Sequence, residues 1–207
     1  NLFDGVVLSV KSVEKLSHGI KIELEKTRYS HMTYVMNHKN EKITKCRAVA
    51  VGGNIVTRDG YYVLGKMSKH TSFPDVIQCI GGGLSEEDIF DGDPVHTFLR
   101  ECKEEIGLTS EDIVSIDDKK YIYIRDNQST VGICYTANIG LTKETLLQRF
   151  EETVTDGEIE SLVFVSKTYE AVSDLFMQQS LVDYAKVIFE QHLLDKSFGD
   201  IREYDFD

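Results

Sequence analysis

Three glutamates, Glu101, Glu104 and Glu105, stand at i, i+3 and i+4 in the run Arg100-Glu101-Cys102-Lys103-Glu104-Glu105-Ile106-Gly107-Leu108. On a helix with about 3.6 residues per turn these carboxylates share one arc. The apolar residues Val95, Phe98, Leu99, Cys102 and Ile106 fall on the neighbouring arc. One arc can pack into a core while the other gathers negative charge. Crowded carboxylates repel one another unless a cation sits among them. Grouped hard oxygen ligands suit magnesium, manganese or calcium. A Glu-rich face can also be merely solvated, with ordinary ion pairs such as Arg100 to Glu104 at i,i+4. Metal-assisted chemistry on a charged substrate is the sharper expectation.

The same run resembles the core of the Nudix box, Arg-Glu-apolar-x-Glu-Glu-x-Gly-apolar, with Cys102 and Leu108 at the apolar positions. The upstream half departs from the pattern, which has a glutamate eight residues before the arginine; Gly92 stands there instead. The glycine run Gly81-Gly82-Gly83 lies further upstream, so the loop is about three residues longer than the pattern. Glu86, Glu87, Asp88, Asp91 and Asp93 in that loop are candidates to replace the missing glutamate and to pair with Arg100. A looser resemblance in the order of elements extends over roughly residues 45 to 195.

The resemblance implies hydrolysis of nucleoside diphosphates linked to another group. It assigns Glu101, Glu104 and Glu105 as ligands of magnesium, with manganese as a substitute, and Arg100 as the residue that orients them. Close backbone approach at Gly82 and Gly83 would supply substrate contacts, although an ordinary turn is an equal reading of the glycines. The water-activating acid is sought in Asp156-Gly157-Glu158-Ile159-Glu160, which looks like the segment before a late strand in ADP-ribose pyrophosphatases. Glu158 is favoured over Asp156 and Glu152 for its reach and its position next to the strand; a solvated acidic loop is an equal reading of the segment, and Glu104 or Glu105 could serve as the base instead. The catalytic set is therefore Glu104, Glu105, Arg100 and Glu158. Lys66 and Lys69, in the loop expected after a hairpin strand, are candidates for phosphate together with Arg47, although a solvated loop is the commoner explanation of two such lysines. Nucleotide sugars and ADP-ribose are the preferred substrate class. A non-catalytic nucleotide-binding module is the alternative reading. An isoprenoid diphosphate isomerase would need a cysteine–histidine metal site, and no convincing arrangement of that kind is found.

Composition constrains the rest. A chain of 207 residues with 41% hydrophobic content can bury one well-formed core. Its net charge of −12 disfavours nucleic acid and anionic membrane surfaces as partners. No apolar run reaches the length of a membrane span. The four cysteines, Cys46, Cys79, Cys102 and Cys134, form no CxxC and sit by apolar runs, so buried free thiols and a reducing cytoplasm are expected.

Elements must then position the chemistry. Residues 1–44 read as an N-terminal β-arm or lid, with period-two alternation from Gly19 to Glu25 and a partner expected over Met32–Asn37. A polar break at residues 37–42 separates it from the hydrolase domain, residues 45–207. There, strands are expected at Ala48–Val56, Tyr61–Gly65, Tyr121–Ile124, Gly132–Ala137 and Ile159–Val165, with a hairpin turn at Arg58-Asp59-Gly60. Asp126-Asn127-Gln128 reads as a second turn. Pro94 suits the first turn of the carboxylate helix, Asp93 its cap and Gly107 its stop. Helices are also expected at Leu141–Glu151 and Ser180–Leu194. The fold class is α/β, a mixed sheet between helices in an α/β/α sandwich. Family analogy makes a homodimer exchanging the arm plausible.

Overall fold

The computed structural model describes residues 4–38, 46–71, 73–88, 93–118, 121–125, 130–153, 156–178, 185, 188 and 189. Ten strands and four α-helices are found among them: β1 (Val6–Leu16), β2 (Gly19–Arg28), α1 (Tyr29–Asn37), β3 (Ala48–Val56), β4 (Tyr61–Met67), β5 (Ile77–Gln78), β6 (Ile80–Gly83), α2 (Val95–Ile106), β7 (Ile113–Ile116), β8 (Tyr121–Arg125), β9 (Thr130–Ile139), α3 (Lys143–Glu152), β10 (Ile159–Ser166) and α4 (Tyr169–Gln178). The expected polar break and the Asp126-Asn127-Gln128 turn lie largely or wholly outside the described residues. So does most of Ser180–Leu194, of which Ala185, Ile188 and Phe189 are helical and buried.

The strands form one mixed sheet, and β3 is its hub. The near-continuous apolar run of β3 suits a strand covered on both faces. It pairs in parallel with β9 from Ala48↔Thr130 to Val56↔Asn138. Antiparallel partners take the rest of it: β6 against Ala50–Gly53, and β4 against Ile55 and Val56. β10 adds to the far side of β4, while β7 and β8 pair with β9.

Alternation along the strands divides the core between two faces. Val63 and Met67 of β4 join Val51, Ile55, Ile133 and Tyr135 on one side, where α2 inserts Phe98, Cys102 and Ile106 and α3 inserts Leu146. Tyr62 and Leu64 point the other way, towards Val165, Val172 of α4 and the helical residues Ala185 and Phe189. This is the expected sandwich. Each large side chain that α2 buries stabilises the packing by roughly 1.5–3 kcal/mol. All four cysteines are buried free thiols, as their apolar settings suggested. Among the described residues, no helix is long and apolar enough to cross a membrane.

The N-terminal segment corrects one expectation. The partner of β2 is β1, not Met32–Asn37, which is the helix α1. Val35 is its buried contact, so a single apolar face in one or two turns had too short a period to distinguish helix from strand. The hairpin joins the sheet where Ser9 meets Ala48 and Val10 N–H donates to the Arg47 carbonyl at 2.8 Å.

Candidate active site

The carboxylate helix is fixed at both ends. Pro94 occupies the cap position, one residue later than expected and with no side-chain cap bond, because the helix begins at Val95; Asp93 Oδ1 still accepts the Val95 N–H at 3.1 Å. Gly107 ends the helix with a left-handed φ of 70°, and its N–H donates to the Lys103 carbonyl at 3.1 Å.

The glycine run is a strand, not a turn. β6 pairs Gly81 with Gly52 and Gly82 with Val51, and the helix lies directly on it. A Cβ at Gly82 would overlap the Glu101 carboxylate, so that position must be glycine for Glu101 to sit where it does. Gly81 donates its N–H to Glu105 Oε2 at 2.9 Å. Around Gly83 nothing stands within 4 Å of an added Cβ, which leaves open backbone beside the carboxylates.

The three glutamates differ in environment. Glu105 is 1% exposed, and burial pushes its carboxyl up to about 9, against the lowering effect of the Gly81 N–H and with help from Glu101, Asp156 and Glu158. Burial pushes Glu101 up to about 7, opposed by Arg100 and supported by the charges of Glu104 and Glu158. Glu104 is 47% exposed in its side chain. Arg100 reaches two of the three, with Nη2 at 2.9 Å from Glu101 Oε1 and Nη1 at 2.7 Å from Glu104 Oε2.

A second element arrives from far along the chain. Asp156 donates its N–H to the Glu104 carbonyl at 3.1 Å, which docks the segment before β10 on the carboxylate helix. Gly157 turns with φ 79°, Glu158 N–H donates to Asp156 Oδ1 at 3.0 Å, and the Glu158 carbonyl accepts Ser68 N–H at 2.8 Å. Burial, Asp156 and Glu104 raise the Glu158 carboxyl above its ordinary value. The segment that carries Glu158 is therefore docked on the carboxylate helix, and the Glu158 charge acts on Glu101 and Glu105. Glu152 is engaged within α3, accepting from Gln148 at 2.9 Å.

The expected phosphate contacts are less well gathered. Lys66 lies in β4 rather than in a loop, and its ammonium is bound by Glu160 at 2.7 Å and Asp75 at 3.4 Å. Lys69 is exposed in the adjoining turn. Of the loop acids proposed for Arg100, Glu86 pairs with Lys26 at 2.7 Å, and Asp93 serves the helix start. Asp91 lies outside the described residues. Sequence reading missed Tyr135, whose buried hydroxyl donates to Asp93 Oδ1; a tyrosine within an apolar strand gives no sign of where its hydroxyl ends.

Among the described residues, no three His, Cys, Asp or Glu side chains are already drawn together as a metal cage. The donor set nevertheless fits a hard cation. The charges of Glu104 and Glu158 raise the Glu101 carboxyl, those of Glu101 and Glu158 raise Glu105, that of Glu104 raises Glu158, and Arg100 pairs with Glu101 and Glu104. Such a site is short of positive charge, and carboxylate oxygens are what magnesium or manganese binds.

No protein-family model matches the chain, and no curated protein matches it in sequence. Solved structures do match. The Nudix domain of Shewanella oneidensis NrtR, complexed with ADP-ribose, aligns with a TM-score of 0.53 at 17% identity, over 80% of this chain and 98% of that one. A bifunctional NMN adenylyltransferase/ADP-ribose pyrophosphatase from Francisella tularensis aligns at 0.52 and 15% identity, over 81% of this chain but 46% of that longer one. A C. elegans Ap4A hydrolase aligns at 0.50 and 14% identity, over 69% and 94% of the two chains. The chain has the Nudix fold.

Proposed function

We propose that this Nudix-fold chain is a magnesium-dependent pyrophosphohydrolase acting on a nucleoside diphosphate linked to a second group. The observation that carries the reading is that Glu101 and Glu105 of α2 lie on the glycine strand, at Gly82 and Gly81, while the charges of Glu104 and of Glu158 from a distant loop act on them. Glu101, Glu104 and Glu105 would hold the cation, for which manganese can substitute. The chemistry that a bound divalent cation supplies is charge neutralisation at the diphosphate and a more acidic water. The protein's own residues do the rest. Arg100 holds Glu101 and Glu104 in one orientation. Gly82 gives Glu101 its place, and Gly83 leaves room for close approach. Lys69 is the better placed of the two lysines for phosphate, since Lys66 is held by two carboxylates. ADP-ribose or a nucleotide sugar is the favoured substrate class, supported by two fold neighbours named for ADP-ribose. A metal-dependent phosphate-release screen across ADP-ribose, nucleotide sugars, dinucleoside polyphosphates and oxidised nucleotides tests it. Binding without turnover across that panel would favour a non-catalytic module, a reading to which Gly92 at the upstream acid position lends support.

The carboxyl shifts carry a pH prediction. The folded pKa values of Glu101 and Glu105, about 7 and about 9, lie above the ordinary 4.5. The unfolded chain then holds fewer protons than the folded one, so metal-free stability falls as pH rises from about 4.5 towards about 9. A cation takes the place of those protons, so magnesium binds more tightly as pH rises. Calorimetry should therefore show a larger magnesium-induced rise in Tm near pH 8.5 than near pH 6, with proton release on binding. Equal shifts at both pH values would remove the carboxylates from the metal site.

Self-association is a further part of the proposal. Among the described residues β1 is the only strand neighbour of β2, which leaves an edge. Antiparallel pairing of two arms about Ile22 would place Lys21 opposite the partner's Glu23 and Ile20 opposite the partner's Leu24. A homodimer is expected in sedimentation; a monomer at working concentration would remove it.

A further inference from the structure

We infer that Asp93 and Tyr135 form a positioning clamp, which sets the start of α2 so that its carboxylates meet the glycine strand. The inference rests on the metal-site reading above and concerns how this chain manages a lengthened loop. Between Gly83 and the helix the chain carries about three more residues than the box pattern, and Gly92 offers no side chain where that pattern has a glutamate. A longer connection restricts the helix start less. Yet Glu101 must arrive over Gly82, and Glu105 must meet the Gly81 N–H at 2.9 Å. Something must fix the helix along its axis.

The structure holds it at Asp93, the residue where the loop ends. One oxygen, Oδ1, accepts both the Val95 N–H at the helix start and the Tyr135 hydroxyl. Tyr135 is itself held firmly. It lies on β9, 1% exposed, opposite Gly53 in the parallel pairing with β3. Gly53 is closely backed by the Tyr135 main chain, so the two strands are locked there. The tyrosine ring stacks on Phe98 of α2, with centroids 5.7 Å apart and planes 11° apart. Ring and hydroxyl thus grip two successive parts of the helix from the sheet that also carries the glycines. Phe98 precedes Glu101 by about one turn, so a shift at Asp93 is transmitted to the carboxylates with little loss. A buried tyrosine hydroxyl merely satisfying its hydrogen bond would not need to end on the same oxygen that accepts the first N–H of this helix.

The test uses Tyr135→Phe, which keeps the ring stack and removes only the hydroxyl, beside Asp93→Asn, which keeps an acceptor oxygen, and Asp93→Ala, which does not. Magnesium affinity is measured by titration calorimetry under native conditions, and global stability by urea. Tyr135→Phe and Asp93→Ala are expected to weaken magnesium binding by about tenfold or more, in the range seen when supporting partners of metal ligands are removed. Asp93→Asn is expected to stay near the parent. A purely structural bond would lower the urea midpoint of Tyr135→Phe and leave its magnesium affinity at the parent value, and that result would overturn the clamp alone. Equal weakening by Asp93→Asn and Asp93→Ala would also overturn it, because the acceptor would then not be what matters. A parent that binds no magnesium would overturn the metal-site reading and the clamp's role with it.

Discussion

Glu104→Gln should lower turnover by about 10²–10³-fold, the range found when one preorganised charge-stabilising group is lost. Its folding cost should be small. The Glu104 side chain is 47% exposed and its ion pair with Arg100 is an i,i+4 pair on a helix surface. Such pairs contribute about 0.3–0.5 kcal/mol. The expected loss in the transition state, about 2.7–4 kcal/mol, is several times larger. Arg100 also keeps Glu101 at 2.9 Å, so the neighbouring carboxylate retains its orientation. The substitution therefore separates chemistry from folding, which Glu105→Gln, at a buried position that accepts the Gly81 N–H, would do less cleanly. The measurement is kcat on the substrate identified by the screen, with a urea midpoint on the same preparation. A variant that hydrolyses as fast as the parent would show that Glu104 does not hold the cation.

The elements that were legible in sequence are those with a long, unambiguous period. The apolar arc of α2 predicted its buried face, and Phe98, Cys102 and Ile106 are buried. Asp93, Pro94 and Gly107 marked its ends because caps act within one turn. The strands flanking Arg58-Asp59-Gly60 were equally plain. β7, with four residues, and α4, beside a strand, gave no period long enough to read. α1 was mistaken for a strand for the same reason. The carboxylate helix was visible as a list of residues, but what it rests on was not. The seat of Glu101 over Gly82 depends on strand register between β3 and β6, and the Tyr135–Asp93 contact depends on the parallel pairing of β3 with β9. Such contacts join residues far apart in the chain, and local pattern does not encode them. Lys66 illustrates the reverse error. A basic residue near a hairpin suggested phosphate, whereas β10 pairs with β4 and brings Glu160 to its ammonium.

Glu158→Gln should lower kcat far more than it weakens magnesium or substrate binding. On the proposed reading, three glutamates that hold a cation would have little freedom to take a proton from water. The acid that does so must be near them without being one of them. Glu158 meets that requirement through the backbone: Asp156 N–H is bonded to the Glu104 carbonyl at 3.1 Å, and Gly157 turns the chain so that Glu158 follows next to β10. Ser68 N–H holds the Glu158 carbonyl at 2.8 Å, so the residue is anchored to the end of β4 as well as to α2. Its carboxyl is raised by burial and by the charges of Asp156 and Glu104, which is the direction that makes a carboxylate a better base. General-base assistance contributes about 10²–10⁴-fold, and glutamine cannot supply it. Glutamine keeps the size and polarity of the side chain, so the docking of the loop should survive. Asp156→Asn, measured beside it, separates the two acids: its side chain caps the Glu158 N–H at 3.0 Å, and asparagine can still accept that bond. A fall in kcat for Glu158→Gln with KM and magnesium affinity near the parent would identify the base. Unchanged turnover would move the role to Glu104 or Glu105, and a matching fall in magnesium affinity would make Glu158 a ligand instead.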